Sequence, residues 1–283
     1  MTTGEHVTGP LGCAPAHAPL SYPGRWPEEA GLLRGEAFTR LGVRAARLGE
    51  WTVGDSGRAL DRALAGWGLA RTGERYPLLA IGSNGCPAQM AYKLGKVSRP
   101  ATLPMVPVVV RGIAVGVSAH VSLAGCVSAS PYRDPGAETT LIVSWPDEAQ
   151  MRAVDATEPN YHRVFLPGGE FPMRMPSGER LGGCHAYVNR HGVLTGGDGV
   201  PLRAMPQPGL LARLLADVPG LSALFGEGPG SFVERARADE ALRLRARALF
   251  RETGRVLQDA GFASLVRDTP PRPYAGIPPL SWD

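Results

Sequence analysis

The feature that most constrains this chain is a short apolar run, Pro77-Leu78-Leu79-Ala80-Ile81, that stops at Gly82-Ser83-Asn84-Gly85 and passes straight into Cys86-Pro87-Ala88-Gln89-Met90-Ala91-Tyr92-Lys93-Leu94. An apolar run bounded by glycines reads as a buried strand, and a proline at the head of the next segment reads as the first turn of a helix. The fold must therefore hold a strand, a tight loop and a helix in succession. Around this unit the sequence reads mostly as strand: Met105 to Arg111 and Val115 to Val121 joined through Gly112, then Thr139 to Trp145, Tyr161 to Leu166 and Cys184 to Asn189. Between the third and fourth, Pro146-Asp147-Glu148-Ala149-Gln150-Met151 opens a short helix that runs to about Ala156.

The flanks read as helical. Pro27-Glu28-Glu29-Ala30 carries proline and acids where a helix start favours them, and Ser56 to Ala70 places Leu60, Leu64 and Trp67 on one face. From Pro208 the apolar spacing is helical, and Phe232 to Ala260 reads as one long helix whose Arg/Glu pairs form a solvated face. Residues 1–24, rich in Pro, Gly and His, read as a flexible or surface-hugging arm, and the tail from Pro270 to Trp282 as a segment that either packs or dangles. The divisions expected are thus 1–24, 25–75, 76–204 and 205–283.

Bulk properties narrow the function. The net charge of +4 comes from arginines spread along the chain, with Lys93 and Lys96 the only lysines, so no nucleic-acid partner is expected. No run approaches a membrane span, the first residues lack the basic start and apolar stretch of a secretory leader, and a cytoplasmic protein is expected. Cys13, Cys86, Cys126 and Cys184 form no C-x-x-C pair, which points to free thiols. The natural partner is a small-molecule substrate, with a homodimer as one use of the flanking helices.

Two places carry chemistry. Glycines let the backbone of the 82–85 loop approach a ligand closely, and N–H groups beside a helix start can form a nest for an anion or oxyanion. An ordinary tight turn has the same spacing. The second place is Val154-Asp155-Ala156-Thr157-Glu158-Pro159-Asn160-Tyr161. Pro159 biases Glu158 out of the helix, so the carboxylate stands at a helix end just before a strand. It is either a surface carboxylate or an acid/base. Cys86 at a helix start is a candidate nucleophile with His120 or His185 as base, or a buried thiol. His120 shares a strand face with Ser118 and is either a core residue or a substrate contact. Cys13 and His17 have a metal-compatible i, i+4 spacing.

Taken together, Ala80-Ile81-Gly82-Ser83-Asn84 and, about seventy residues on, Asp155-Ala156-Thr157-Glu158-Pro159-Asn160-Tyr161 resemble the two motifs of γ-glutamylcyclotransferase-like proteins. The likeness covers roughly residues 76–190. It implies an α+β fold, a small mixed β-barrel, closed or nearly so, here with flanking N- and C-terminal helices. It implies Glu158 as catalytic acid/base, and Ile81, Gly82, Ser83, Asn84, Gly85, His120 and Tyr161 as substrate-binding residues. It requires no metal or cofactor. The implied reaction is ring closure of a γ-glutamyl amide, with release of an amine, in specialised metabolism. Two positions depart from the pattern. Val154 replaces a leucine, and Ile81 replaces a tyrosine and removes a hydroxyl from the pocket wall, which favours a divergent substrate. A non-catalytic small-acid or partner-binding barrel, and a hydrolase, lyase or isomerase using Glu158 on another substrate, are the alternatives.

Overall fold

A computed structural model describes residues 11–267 and 270–282. The strands are β1 (Gly31–Arg34), β2 (Ala37–Gly42), β3 (Thr52–Val53), β4 (Arg58–Ala59), β5 (Leu78–Ala80), β6 (Thr102–Val121), β7 (Val127–Ser144), β8 (Tyr161–Pro167), β9 (Met173–Arg174), β10 (Glu179–Arg180), β11 (Gly183–Asn189), β12 (Val193–Leu194), β13 (Val256–Leu257) and β14 (Ser281–Trp282). The α-helices are α1 (Leu60–Gly66), α2 (Pro87–Leu94), α3 (Glu148–Ala156), α4 (Gln207–Asp217), α5 (Leu221–Phe225), α6 (Pro229–Ala238) and α7 (Glu240–Glu252).

The main path of the sheet runs β4-β3-β2-β1-β6-β7-β5-β11-β8. β6 and β7 form a long antiparallel hairpin, the backbone of the molecule. β6 is one continuous strand with a register shift at Gly112, which takes a left-handed φ of +83° that favours glycine. One edge of β6 pairs with β7, and the other meets β1, β9 and β12 in turn. β5 is the short central strand, antiparallel to β7 and parallel to β11. The expected closed barrel is not formed. Among the described residues no strand pairing returns from β8 to β6, so the sheet is large, curved and open.

Several hydrophobic cores draw on the hairpin, two of them the largest. Its β1-proximal half supplies Val106, Val108, Leu141 and Val143 to a core shared with β5, β8 and β11. Its far half supplies Val117, Ala119, Val121 and Val127 to a second core closed by α4–α7 through Leu211, Leu221, Phe225, Phe232 and Phe250. The helices after residue 205 therefore cover apolar hairpin surface.

Several expectations for the flanks are corrected. Residues 25–75, expected helical, are mostly the small antiparallel sheet β1–β4, with α1 their sole α-helix. The helix-start signature at Pro27 yields to strand pairing, because Leu32 and Leu33 are both buried, one on each face, between β2 and β6. A long helix from Phe232 is broken at Asp239, whose side chain accepts from Ala241 N and Leu242 N and starts α7 afresh. The described part of the arm is packed, with Ala14 and Tyr22 buried; residues 1–10 of that arm lie outside the described residues. The C-terminal tail packs too. Tyr274 is buried, donates its hydroxyl to Glu179 at 2.6 Å and lies under the Arg47 guanidinium, which donates to Tyr274 O at 2.9 Å. No helix among the described residues is long and apolar enough to cross a membrane.

Candidate functional site

The site forms where β5 ends. Ser83–Gly85 makes a single 3-10 turn, closed by Gly85 N–H to Gly82 O at 2.9 Å and Cys86 N–H to Ser83 O at 3.0 Å. These bonds leave the Ser83 and Asn84 N–H groups without a backbone acceptor among the described residues. α2 follows at once, with Pro87 in its first turn, and its last turn carries Lys93.

The second half of the site comes from the end of α3. Asp147 caps this helix in a reciprocal box with Gln150. The buried Arg75 guanidinium anchors the same end by donating to Trp145 O at 3.0 Å, Thr102 O at 3.2 Å and Gln150 Oε1 at 3.3 Å. With its start fixed to β6 and β7, α3 delivers a defined C-terminus. Thr157 ends it, and Glu158 stands in the turn between Thr157 and Pro159, with Glu158 N–H on Asp155 O.

The two halves meet. Glu158 Oε1 accepts from Asn84 Nδ2 at 3.0 Å and from Lys93 Nζ at 2.8 Å, while Lys93 also donates to Asn84 Oδ1 at 2.8 Å. Both ionic side chains are nearly buried, with 10% of Lys93 and 13% of Glu158 exposed. Glu158 Oε2 has no hydrogen-bond partner among the described residues. The sequence analysis named no partner for this carboxylate; the structure supplies a cation, Lys93. The triangle lines a cavity of about 580 Å³, whose wall also includes Ile81, Gly82, Ser83, His120, Ser128, Tyr161 and the arm residues Ala16 and Tyr22. That size falls within the ~300–1,000 Å³ range of small-molecule sites.

The remaining candidates divide. Tyr161 is in the cavity, and its hydroxyl donates to Ala129 O at 3.4 Å; burial, with the Glu158 charge second, pushes the phenol well above its ordinary range. His120 also lines it. Asn189 Nδ2 lies 3.0 Å from His120 Nδ1, and the ring packs edge-on against Tyr161. Burial, aided by His191 and Arg247, holds His120 at a pKa of about 3, so it is a neutral imidazole. Gly85 is not in the cavity wall; it lies under the Trp26 ring, which a Cβ there would meet at 2.6 Å. Cys86 is fully buried against Gly24, and neither proposed base reaches it, since His185 accepts the Arg272 N–H at 3.0 Å and His120 is engaged by Asn189. His17 stacks edge-on against Tyr92, while Cys13 is exposed, and no metal-holding group of three or more His, Cys, Asp or Glu occurs among the described residues. Asp155 is turned to a structural network, accepting from Tyr187 Oη at 2.6 Å and pairing with Arg163.

Two residues escaped the sequence reading. Lys93 had one available signal, its rarity in an arginine-rich chain. Tyr22 had none, because the arm offers no periodicity. Its hydroxyl accepts the Ala129 N–H at 2.8 Å and sits directly on Gly82, where a Cβ would lie 2.0 Å from it. Behind Tyr22, Ile81, Ser128 and Ala129 lies a second, apolar cavity of about 220 Å³, also lined by Val117 and Leu210.

Fold and site together define an α+β protein with an open, curved sheet and an ion-paired carboxylate in a cavity at the end of its central strand. No protein-family model matches the chain, and no curated protein matches it. A solved structure named "Gamma-glutamyl cyclotransferase" is a distant likeness, with 13% identity and a TM-score of 0.34, covering 62% of this chain and 99% of its own.

Proposed function

We propose that this chain is a cofactor-free enzyme of the γ-glutamylcyclotransferase-like type, which releases an amine from a γ-glutamyl or related acyl amide with Glu158 as general acid/base. The observation that carries the reading is Glu158 itself, held on Oε1 by Asn84 and Lys93 with Oε2 unpartnered among the described residues, in the wall of the cavity. A γ-glutamyl amide contains its own nucleophile. Its α-amine attacks the γ-carbonyl carbon, the new C–N bond closes a five-membered ring, and the carbonyl π pair moves to oxygen. Glu158 takes the proton from the attacking nitrogen and returns it to the departing nitrogen as the amide C–N bond breaks. The products are 5-oxoproline and the free amine. Because attack is intramolecular, the cavity need only hold the ring-closing conformer. The Ser83 and Asn84 N–H groups are candidates to face the oxyanion. Ile81 and the apolar cavity behind it favour a substrate with an apolar substituent.

A second reading, a non-catalytic small-acid binder, has its own support in Lys93, a nearly buried cation at the same place. Incubation with a panel of γ-glutamyl amines, with 5-oxoproline and amine detected by mass spectrometry, separates the two. Turnover is expected, and Glu158→Gln is expected to fold normally and lose at least about a hundredfold in kcat. Equal turnover by Glu158→Gln would remove the acid/base role, and binding without turnover would favour the second reading.

A further inference from the structure

The missing hydroxyl at position 81 has a counterpart from elsewhere in the chain. Tyr22 belongs to the N-terminal arm, outside the strand–loop–helix unit, yet its hydroxyl oxygen occupies the space over Gly82 at the rim of the cavity. The Tyr22 side chain is about nine-tenths buried. Its oxygen is fixed by the Ala129 N–H at 2.8 Å, and the phenolic proton has no acceptor among the described residues. A buried donor without a partner is costly unless a ligand or water accepts from it. Tyr161, bonded to the same residue, is spent differently, donating to Ala129 O. Tyr187, also in the cavity wall, donates to Asp155, and Tyr92 is exposed, so of the four phenols there Tyr22 is the buried one with a proton to offer. It stands over the end of the strand whose loop, Gly82 to Asn84, lines the same cavity.

We propose that Tyr22 donates a hydrogen bond to the carbonyl oxygen at which negative charge develops, so that the arm supplies the oxyanion donor that Ile81 does not. The proposal rests on the acyl-amide reading above. No proton leaves Tyr22: burial pushes its phenol well above the ordinary range, so it acts as a fixed donor while proton transfer stays with Glu158. Small size at position 82 is part of the device, since any Cβ there collides with the hydroxyl.

The test compares wild type with Tyr22→Phe and with 3-fluorotyrosine incorporated at position 22. Phe keeps the ring packing and removes the O–H; fluorotyrosine keeps the O–H and makes it a stronger donor. Tyr22→Phe is expected to lower kcat by about ten- to a thousandfold with KM changed less than threefold, and the fluorotyrosine protein to keep kcat at or above wild type. A loss in both proteins, or a rise in KM alone, would mean that Tyr22 only packs the arm and would overturn the proposal. If wild type turns over no amide, the acyl-amide reading fails separately. Calorimetric titration with 5-oxoproline then decides the Tyr22 site: weaker binding by Tyr22→Phe keeps a donor there, and equal binding removes it.

Discussion

Lys93 touches both halves of the candidate site, bonding Asn84 on the loop and Glu158 at the end of α3. An ammonium in that position fixes the carboxylate rotamer and offsets the cost of holding it out of water. Lys93→Met is expected to lower kcat/KM at least tenfold and to cost about 1–3 kcal/mol of stability, because Oε1 of a nearly buried carboxylate keeps only the Asn84 amide. Steady-state kinetics with denaturant titration checks both. Lys93→Arg is the informative partner variant, since a planar guanidinium cannot replace a compact point charge bonded to two acceptors. At this scale the sequence exposed Glu158 and the 82–84 loop through local signals, a proline after the carboxylate and glycines after a strand. It hid Lys93 and Tyr22 because their partners are 65 and 107 positions away, and no periodicity records such a pairing.

Among the elements, the central ones were legible and the peripheral ones were not. β5 and α2 announce themselves by composition and by Pro87, and α3 by Pro146 and the acids after it. β1 misled because Pro27-Glu28-Glu29 imitates a helix start, while the decisive interaction, register with Leu103 and Pro104 of β6, lies far along the chain. The break at Asp239 was readable in principle, as a capping residue between two apolar-periodic segments. The C-terminal tail gives the prediction proper to this scale. Tyr274→Phe removes the 2.6 Å bond to Glu179, a carboxylate whose pKa is already raised by burial, and leaves that group with Arg47 alone. Loss of about 1–3 kcal/mol is expected, read as a lower urea midpoint, with turnover in the cavity, which Tyr274 does not line, retained.

For the whole molecule, pH is the lever. His120 and His185 are held at pKa values of about 3 and 4, chiefly by burial, against about 6.5 in an unfolded chain. The unfolded state therefore binds more protons than the folded one throughout that interval, and stability rises with pH there. These groups leave stability untouched above about pH 7 and withdraw it as the pH falls from 6.5 toward 4, by a few kcal/mol in order of magnitude. Denaturation midpoints measured from pH 7.5 to 4.5 should show the fall, and His120→Asn should flatten it. A midpoint independent of pH in this range would mean that these imidazoles are solvated.

The Arg47–Tyr274 contact also dictates an order of assembly. It joins positions 227 apart, and β1 must wait for β6 before it has a second edge partner. A ribosome-bound chain halted before residue 274 holds a buried-to-be Glu179 with no phenol to meet it, and a sheet still without its fastening. Docking of the C-terminal segment is consequently expected to come late in synthesis, and chains shortened before residue 274 are the ones a protease should find first.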